Sequence, residues 1–287
     1  MHDLHSHSAR SDGYLLPADL VAQAAEQGVI TLALTDHDTI DGLVEASESA
    51  QHAGIELVAG VEISVTWGNC TLHIVGLAFD RMNDTLVQGL ADLQAIRAKR
   101  AESIGAKLAK LGVENAHERA QALAGDGQIG RVHFARVLIE AGVCRDMQHA
   151  FKHYLKPGRN GFVRVNWAGL EQAIDWIHAA GGLAVLAHPL GYHFSANWRR
   201  KMVAAFVEAG GDAMEICTGT TTTDDISRMG RVAAAYGLYG SLGSDFHSPE
   251  QHWLALGRVA PLPSYLTPIW QAPSFSPMTP GCPHSRQ

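Results

Sequence analysis

His5 and His7 stand two apart in Asp3-Leu4-His5-Ser6-His7, so on an extended segment both imidazoles leave the same face and can grip one ion. Taken alone, the pair reads equally well as two ordinary polar or packed histidines. The theme recurs, however, in Ser11-Asp12-Gly13, Thr35-Asp36-His37-Asp38-Thr39, Gly60-Val61-Glu62, Ala187-His188-Pro189 and Ser244-Asp245-Phe246-His247. Each places an imidazole or a carboxylate after a hydrophobic, strand-like run, which packed core histidines do not explain. The chemistry such a mixture supports is divalent-metal binding, and it suits manganese, iron or zinc without selecting one. Asp36 and Asp38 have two readings, as groups that orient this set or steady its loop and as plain caps of a helix starting at Ile40.

The elements that must position these residues alternate strand and helix. Pro17 suits the first turn of a helix through Gln27, with Gly28 at its end. Val29–Thr35 reads as a buried strand, Ile40–Ala53 as a helix stopped by Gly54, and Ile55–Val61 as the next strand, with Glu62 at its end. Leu72–Leu77 continues the series and carries His73. From about Asp84 to Gly142 helices follow without strands, as an insertion. Alternation resumes with a helix near Leu170–Ala180 and strands at Leu183–Ala187, Ala213–Ile216 and Leu238–Leu242. The pattern predicts an α/β parallel sheet or barrel over 1–83 and 165–271, with an inserted helical subdomain over 84–164. In such barrels functional groups gather at the carboxyl ends of strands, where these motifs fall. Residues 272–287, rich in Pro and Ser, read as a loose tail.

In combination the motifs Asp3-Leu4-His5-Ser6-His7-Ser8, Thr35-Asp36-His37-Asp38, Gly60-Val61-Glu62, His188-Pro189 and Asp245-Phe246-His247 resemble the PHP (polymerase and histidinol phosphatase) family over nearly the whole chain. The resemblance implies a distorted (β/α)7 barrel binding two or three divalent ions, commonly manganese, iron or zinc. Carried over by position, His5, His7, Glu62 and Asp245 would hold one ion. Glu62 would bridge to a second held by His73 and His188, and Asp12, His37 and His247 would hold a third. These donors comprise six imidazoles and three carboxylates, so three divalent ions leave the filled site cationic. Such a site polarises phosphoryl oxygens and lowers the pKa of bound water, making a metal-bound hydroxide the nucleophile.

The substrate side is read from charge. Arg131–Arg164 holds seven basic residues against Glu140 and Asp146, a local +5 in a chain whose formal charge is −7. A basic lid in an acidic protein suits an anionic substrate, although each residue taken singly also reads as part of a solvated helix face. Gly130-Arg131-Val132-His133-Phe134-Ala135-Arg136 resembles the Gly-Arg-Pro-His-x-Ala-Arg segment of the family branch acting on 3′,5′-nucleoside bisphosphates or 5′-phosphorylated RNA, with Val132 in place of proline. Arg131 and His133 are the leading substrate-binding candidates, and Lys156 and Arg159 the outer ones. His193, following the His188-Pro189 turn, is a candidate general acid for a leaving alkoxide or else a plain loop histidine.

The resulting expectation is a phosphatase of 3′,5′-nucleoside bisphosphates that also acts as a 5′→3′ exonuclease on short 5′-phosphorylated RNA. The alternatives are a histidinol-phosphate phosphatase and a non-catalytic, metal-stabilised PHP module. Hydrophobic residues at 46% and charged residues at 18% provide for a buried core and argue against disorder. The negative charge disfavours a protein that coats nucleic acid through bulk electrostatics. Met1 precedes the polar His2-Asp3, and no apolar run long enough for a span is found. A cytoplasmic protein with no membrane contact and no obligate protein partner is expected. The four separated cysteines, Cys70, Cys144, Cys217 and Cys282, signal reduced thiols rather than a zinc ribbon or disulfides.

Overall fold

The computed structural model describes residues 1–251 and 254–278. The elements run β1 (His2–Asp3), α1 (Pro17–Glu26), β2 (Thr31–Leu34), α2 (Leu43–Ala53), β3 (Glu56–Trp67), β4 (Cys70–Leu77), α3 (Asp84–Ala109), α4 (Ala116–Ala124), α5 (Arg131–Glu140) and α6 (Met147–Ala150). After a π-turn at Phe151–Leu155 come β5 (Ala168–Gly169), α7 (Leu170–Ala179), β6 (Leu183–Leu186), α8 (Ala196–Glu208), β7 (Ala213–Cys217), α9 (Thr223–Ala235) and β8 (Tyr239–Leu242). The sheet order is β1-β2-β3-β4-β6-β7-β8, with β5 against β3. The two ends of the sheet meet beyond β1 and β8. There the Leu4 amide donates to the Leu242 carbonyl (3.1 Å), Asp245 to His5 (2.9 Å) and His7 to Phe246 (2.9 Å). The result is a nearly closed, barrel-shaped sheet with helices packed around it, the α/β barrel class that the alternation predicts.

Local signals account for much of this. Pro17 occupies the first turn of α1, where its missing N–H is not needed, and Gly28 at φ +78° ends that segment. β2 and β6 are buried along their whole length, as continuous apolar runs in a parallel sheet should be.

Three expectations fail, each for a physical reason. β3 does not stop at Val61 but runs on to Trp67, so Glu62 lies inside a strand. β4 does not continue the parallel series. It turns back on Gly68-Asn69 and pairs antiparallel with β3 from Trp67↔Cys70 to Gly60↔Leu77; Gly68 at φ +58° supplies the first central residue of a type II′ hairpin turn. α2 starts at Leu43 rather than Ile40, because the aspartates that would cap it are engaged elsewhere.

The helical insertion has its own apolar cluster, built from Ile104 and Leu108 of α3, Phe134, Val137 and Leu138 of α5, and Leu155. Its boundary is not at residue 84. Leu86, Leu90 and Leu93, in the first half of α3, belong to the barrel core, so α3 spans both clusters. The expected loose tail is also wrong for residues 272–278. Ala272 is buried, Phe275 packs against the barrel, and the Met278 amide donates to the Leu57 carbonyl (2.6 Å). Residues 279–287 lie outside the described residues, as does Cys282. Cys144 and Cys217 are buried free thiols and Cys70 is partly exposed. Among the described residues no helix is long and apolar enough to cross a membrane.

Candidate metal centre

The motif residues converge at one end of the barrel. His5 and His7 follow β1, His37 follows β2, His188 follows β6, and Asp245 and His247 follow β8. Glu62 and His73 arrive from inside strands. Ser64 pairs with His73 across the hairpin, and Glu62, two residues from Ser64, shares that face. The antiparallel return of β4 is therefore what brings His73 to Glu62. His188 at φ +28° and Asp245 at φ +55° hold backbone conformations that are costly outside glycine, which turn both side chains into the cluster. A Cβ on Gly243 would sit 2.3 Å from the Cβ of His5, so only glycine lets the β8 chain pass this close.

Four donor atoms form one compact set. His5 Nε2 lies 3.1 Å from His7 Nε2, 3.5 Å from Glu62 Oε2 and 3.4 Å from Asp245 Oδ1. His7 Nε2 lies 3.3 Å from Glu62 Oε2 and 3.4 Å from Asp245 Oδ1. Ligands at about 2.1 Å from one ion are separated by roughly 3.0–3.4 Å along the edges of an octahedron or tetrahedron, which these distances approach. The other oxygen of Glu62, Oε1, faces His73 Nδ1 at 2.8 Å and His188 Nε2 at 2.9 Å. On the remaining side, Asp12 Oδ1 lies 3.4 Å from His247 Nε2 and 3.8 Å from His37 Nε2. His37 stands between groups, with Nδ1 2.8 Å from Glu62 Oε2. The donors of His5, His7 and Asp245, of His37, Glu62 and His73, and of His7, Asp12, His37 and His247 fall within 4.8 Å of one another in each set.

Buried atoms in this cluster lack hydrogen bonds, among them Asp12 Oδ1, His37 Nδ1, Glu62 Oε2 and His73 Nδ1. Buried polar atoms left without partners cost free energy, and lone pairs that approach closely without hydrogen-bond alignment are what a cation would satisfy. The residues present therefore fit a metal cluster. Tautomers agree with this. His5 Nδ1 donates to Glu215 Oε1 at 2.7 Å and His247 Nδ1 to the Asp245 carbonyl at 2.8 Å, which turns both Nε2 atoms inward as the ones able to bind a cation once deprotonated.

Electrostatics in the metal-free chain follow from the same packing. Burial alone would raise Glu62 and Asp245, yet the imidazoles around them hold both well below the usual carboxylate range. Burial alone would depress His5, but Glu215, Glu62 and Asp245 lift it well above its ordinary value. Asp12 and Asp245 likewise raise His247 to about 10, whereas for His37 burial wins and lowers it to about 4. At pH 7 His5 and His247 thus carry protons that they must shed to bind a cation. Loading the apo chain with manganese at pH 7 will release protons, seen by calorimetry as a heat that depends on the buffer's ionisation enthalpy. Acidification will weaken loading; a buffer-independent heat would contradict this.

Surrounding groups hold the candidate donors in place. Glu215 was not foreseen from the sequence. It sits in the apolar run of β7, and a carboxylate in a fully buried strand was the available signal. Besides His5, it accepts the backbone N–H of His188 at 2.5 Å. Replacing Glu215 with Gln will lower metal affinity or turnover about 10- to 100-fold, measured by metal content and kcat. Asp3, fully buried, accepts the N–H groups of Ser244 (2.7 Å) and Gly257 (2.8 Å) and so fixes the chain that carries Asp245. Asp36 accepts from the Ser8 amide, the Ser8 hydroxyl and the Ser11 hydroxyl. Asp38 accepts from the Ser64 amide and from Arg97 Nε, each at 2.6 Å. Both aspartates tie loops together and neither caps a helix.

A cavity of about 600 Å³ opens beside the cluster, walled by Asp12, His37 and His73 and by Arg97, Arg100, Arg131 and Arg164. Arg97 is matched by Asp38, but among the described residues no carboxylate lies within ion-pair distance of Arg100 or Arg131. Burial, then Arg131 and Arg97, lower Arg100 to about 9, and burial with Arg97 lowers Arg131. Two half-buried cations with no carboxylate within ion-pair distance, beside a cavity, could hold an anion.

Of the substrate-binding candidates, Arg131 lines this cavity and the others do not. His133 is buried and its Nδ1 accepts the Gly130 N–H at 2.9 Å, closing the first turn of α5. Lys156 and Arg159 are exposed and are not among the residues that line the cavity, although Pro157 between them is. Arg97 and Arg100 also line the cavity, from α3, which the sequence marks only as a charged helical run. His193 is exposed and lines a second cavity of about 440 Å³ with His188, Glu215 and Asp245.

A nearly closed α/β barrel with imidazole and carboxylate clusters at the carboxyl ends of its strands, beside an arginine-lined cavity, defines a class of phosphoester hydrolase with sites able to hold metal ions. The chain belongs to the PHP domain family, which matches residues 3–177. It is 46% identical over 270 residues to a 5′-3′ exoribonuclease of Haemophilus influenzae, covering 94% of this chain and 98% of that protein. It is 40% identical over 270 residues to a 3′,5′-nucleoside bisphosphate phosphatase of Chromobacterium violaceum, covering 94% and 95%. A solved structure of an amidohydrolase from Chromobacterium violaceum, with bound sulfate and no metal, superimposes with a TM-score of 0.89 at 40% identity over 94% of each chain. The chain is a hydrolase acting on phosphoester bonds.

Proposed function

We propose that this chain removes the 3′-phosphate of 3′,5′-nucleoside bisphosphates and, by breaking the same bond, releases 5′-nucleotides from short 5′-phosphorylated RNA. The observation that carries the reading is the pair of half-buried arginines, Arg100 and Arg131, lining the cavity beside the donor cluster. A phosphate remote from the bond to be broken fits that pair, because arginine engages phosphate oxygens in a bidentate fork.

The donors fit two or three divalent ions of manganese, iron or zinc. His5, His7, Glu62 and Asp245 would hold one, Glu62 with His73 and His188 a second, and Asp12, His37 and His247 a third. When bound, such ions neutralise charge on phosphoryl oxygens and make water nucleophilic near neutral pH. The protein's own groups do the positioning. Arg131 and Arg100 anchor the 5′-phosphate, Glu215 and the Asp245 carbonyl orient imidazoles, and Asp38 holds Arg97 at the cavity wall.

In the bisphosphate, water adds to the 3′-phosphorus and the P–O3′ bond breaks, giving inorganic phosphate and a 5′-nucleotide whose O3′ takes up a proton. In RNA the same P–O3′ bond of the first nucleotide breaks, and the phosphate stays on the next nucleotide as its new 5′ end. One 5′-phosphate pocket thus serves both substrates. His193, on the second cavity, remains the candidate donor of the O3′ proton.

The test is phosphate release from adenosine 3′,5′-bisphosphate, and mononucleotide release from a 5′-phosphorylated oligoribonucleotide, with manganese and with a chelator. Both are expected to proceed and to stop on chelation. Efficient cleavage of histidinol phosphate with no action on either nucleotide would overturn the assignment.

A further inference from the structure

A file of aromatic rings leads from the donor cluster to the surface. Ring centroids are 5.2 Å apart from His188 to Tyr192, 5.8 Å from Tyr192 to Phe194, 6.0 Å from Phe194 to Trp67 and 5.7 Å from Trp67 to Trp198. Its inner end is firmly set. The Tyr192 hydroxyl accepts the His73 amide at 2.9 Å and donates to the Ala187 carbonyl at 3.1 Å. Tyr192 and Phe194 form part of the wall of the arginine-lined cavity. The outer end is open: Trp198 is 53% exposed, a large ring for a soluble surface to leave uncovered.

The charge around that outer ring is basic. Trp198 is followed by Arg199, Arg200 and Lys201 in the first two turns of α8. Lys201 Nζ lies 5.2 Å from the Trp198 ring centre, and Arg199 donates to the Phe194 carbonyl at 3.0 Å. The first turn of α8 has no acidic residue. Cations near the positive end of a helix dipole work against helix stability, so their presence in a chain of net charge −7 calls for another role. An exposed ring continued inward by half-buried ones, with cations beside it, along a path out of a cavity is the kind of surface that holds single-stranded nucleic acid, since every base has a face to stack and every linkage a charge to meet.

We propose that Trp67, Phe194 and Trp198, with Arg200 and Lys201, bind the second and following nucleotides of single-stranded RNA whose 5′-phosphate sits at Arg131. This rests on the function proposed above. Breaking P–O3′ of the first nucleotide requires the rest of the strand to leave the cavity, and the ring file is the wall that runs from the cavity to solvent. A bisphosphate ends at the cluster and does not reach the outer part of the file at Trp198.

Trp198→Ala and the double variant Arg200→Glu/Lys201→Glu change exposed positions only. Each is to be assayed on adenosine 3′,5′-bisphosphate and on an eight-nucleotide 5′-phosphorylated oligoribonucleotide, at low and high salt. Binding of the same oligonucleotide, labelled at its 3′ end, to the chelated protein is followed by anisotropy. The expected result is a loss of about 10-fold in oligonucleotide affinity and kcat/KM for each variant, partial recovery with Trp198→Phe, and a shallower salt dependence for the double variant. Bisphosphate turnover stays within about two-fold, since a single nucleotide does not reach Trp198, Arg200 or Lys201. Equal loss on both substrates, or no loss on the oligonucleotide, overturns the platform while the hydrolysis of bisphosphate stands. A wild-type chain that hydrolyses neither substrate overturns both readings.

Discussion

Replacing Asp245 with Asn abolishes turnover, by on the order of 10³-fold or more, while the barrel stays folded. Asp245 Oδ1 lies 3.4 Å from both His5 Nε2 and His7 Nε2 and is the carboxylate on the open side of that donor set. Burial would favour its neutral form, yet His5 and His247 keep it ionised. The amide removes that charge and one oxygen donor and changes little in volume. It also suits the backbone, because Asp245 sits at φ +55°, a region that asparagine enters more readily than most residues. The amide-to-carbonyl bond from Asp245 to His5 is untouched by the substitution. Metal content, kcat on the bisphosphate and a urea unfolding midpoint are to be measured together. Activity near that of the wild type would remove Asp245 from the metal site.

Replacing Arg131 with Ala lowers kcat/KM on adenosine 3′,5′-bisphosphate about 10²-fold and changes turnover of a nucleoside 3′-monophosphate little. The contrast follows from position. Arg131 lies in the cavity wall next to Arg97 and Arg100; Asp12 in the same wall acts on it from a distance, and no carboxylate among the described residues lies within ion-pair distance. Its removal strands no buried anion and relieves like-charge repulsion, so the fold loses little beyond the contact with the Phe151 ring at 5.7 Å. A substrate without a 5′-phosphate has nothing to place against Arg131, so its rate reports the integrity of the metal cluster. Parallel losses on both substrates would show that Arg131 supports the cluster and does not read the 5′-phosphate.

The sequence by itself marked the barrel alternation and, apart from His73, which only the family resemblance supplied, the candidate donors from His5 to His247, because each of those signals is local. A strand-like run followed by a short polar motif needs no distant residue to be read, and Pro17 and Gly28 mark a helix through their own backbone preferences. Arg131 was legible for the same reason, within a motif beside a helix start. What only the tertiary structure decided depends on which residues far apart in the chain come to share a cavity.

The turn at Gly68 folds β4 back and brings His73 to Glu62, where periodicity alone suggested another parallel strand. Asp36 and Asp38 could equally have capped a helix, and the distant partners Ser8, Ser11, Ser64 and Arg97 took them instead. Glu215 reads as one acid in an apolar strand until His5, 210 residues away, is placed against it. Lys156 and Arg159 carry the right charge but are exposed and do not line the cavity, while Arg100 lines it from a helix whose sequence pattern is merely charged. Residue type sets which chemistry a side chain can perform. Packing sets which side chains lose their water, and so which of them act together.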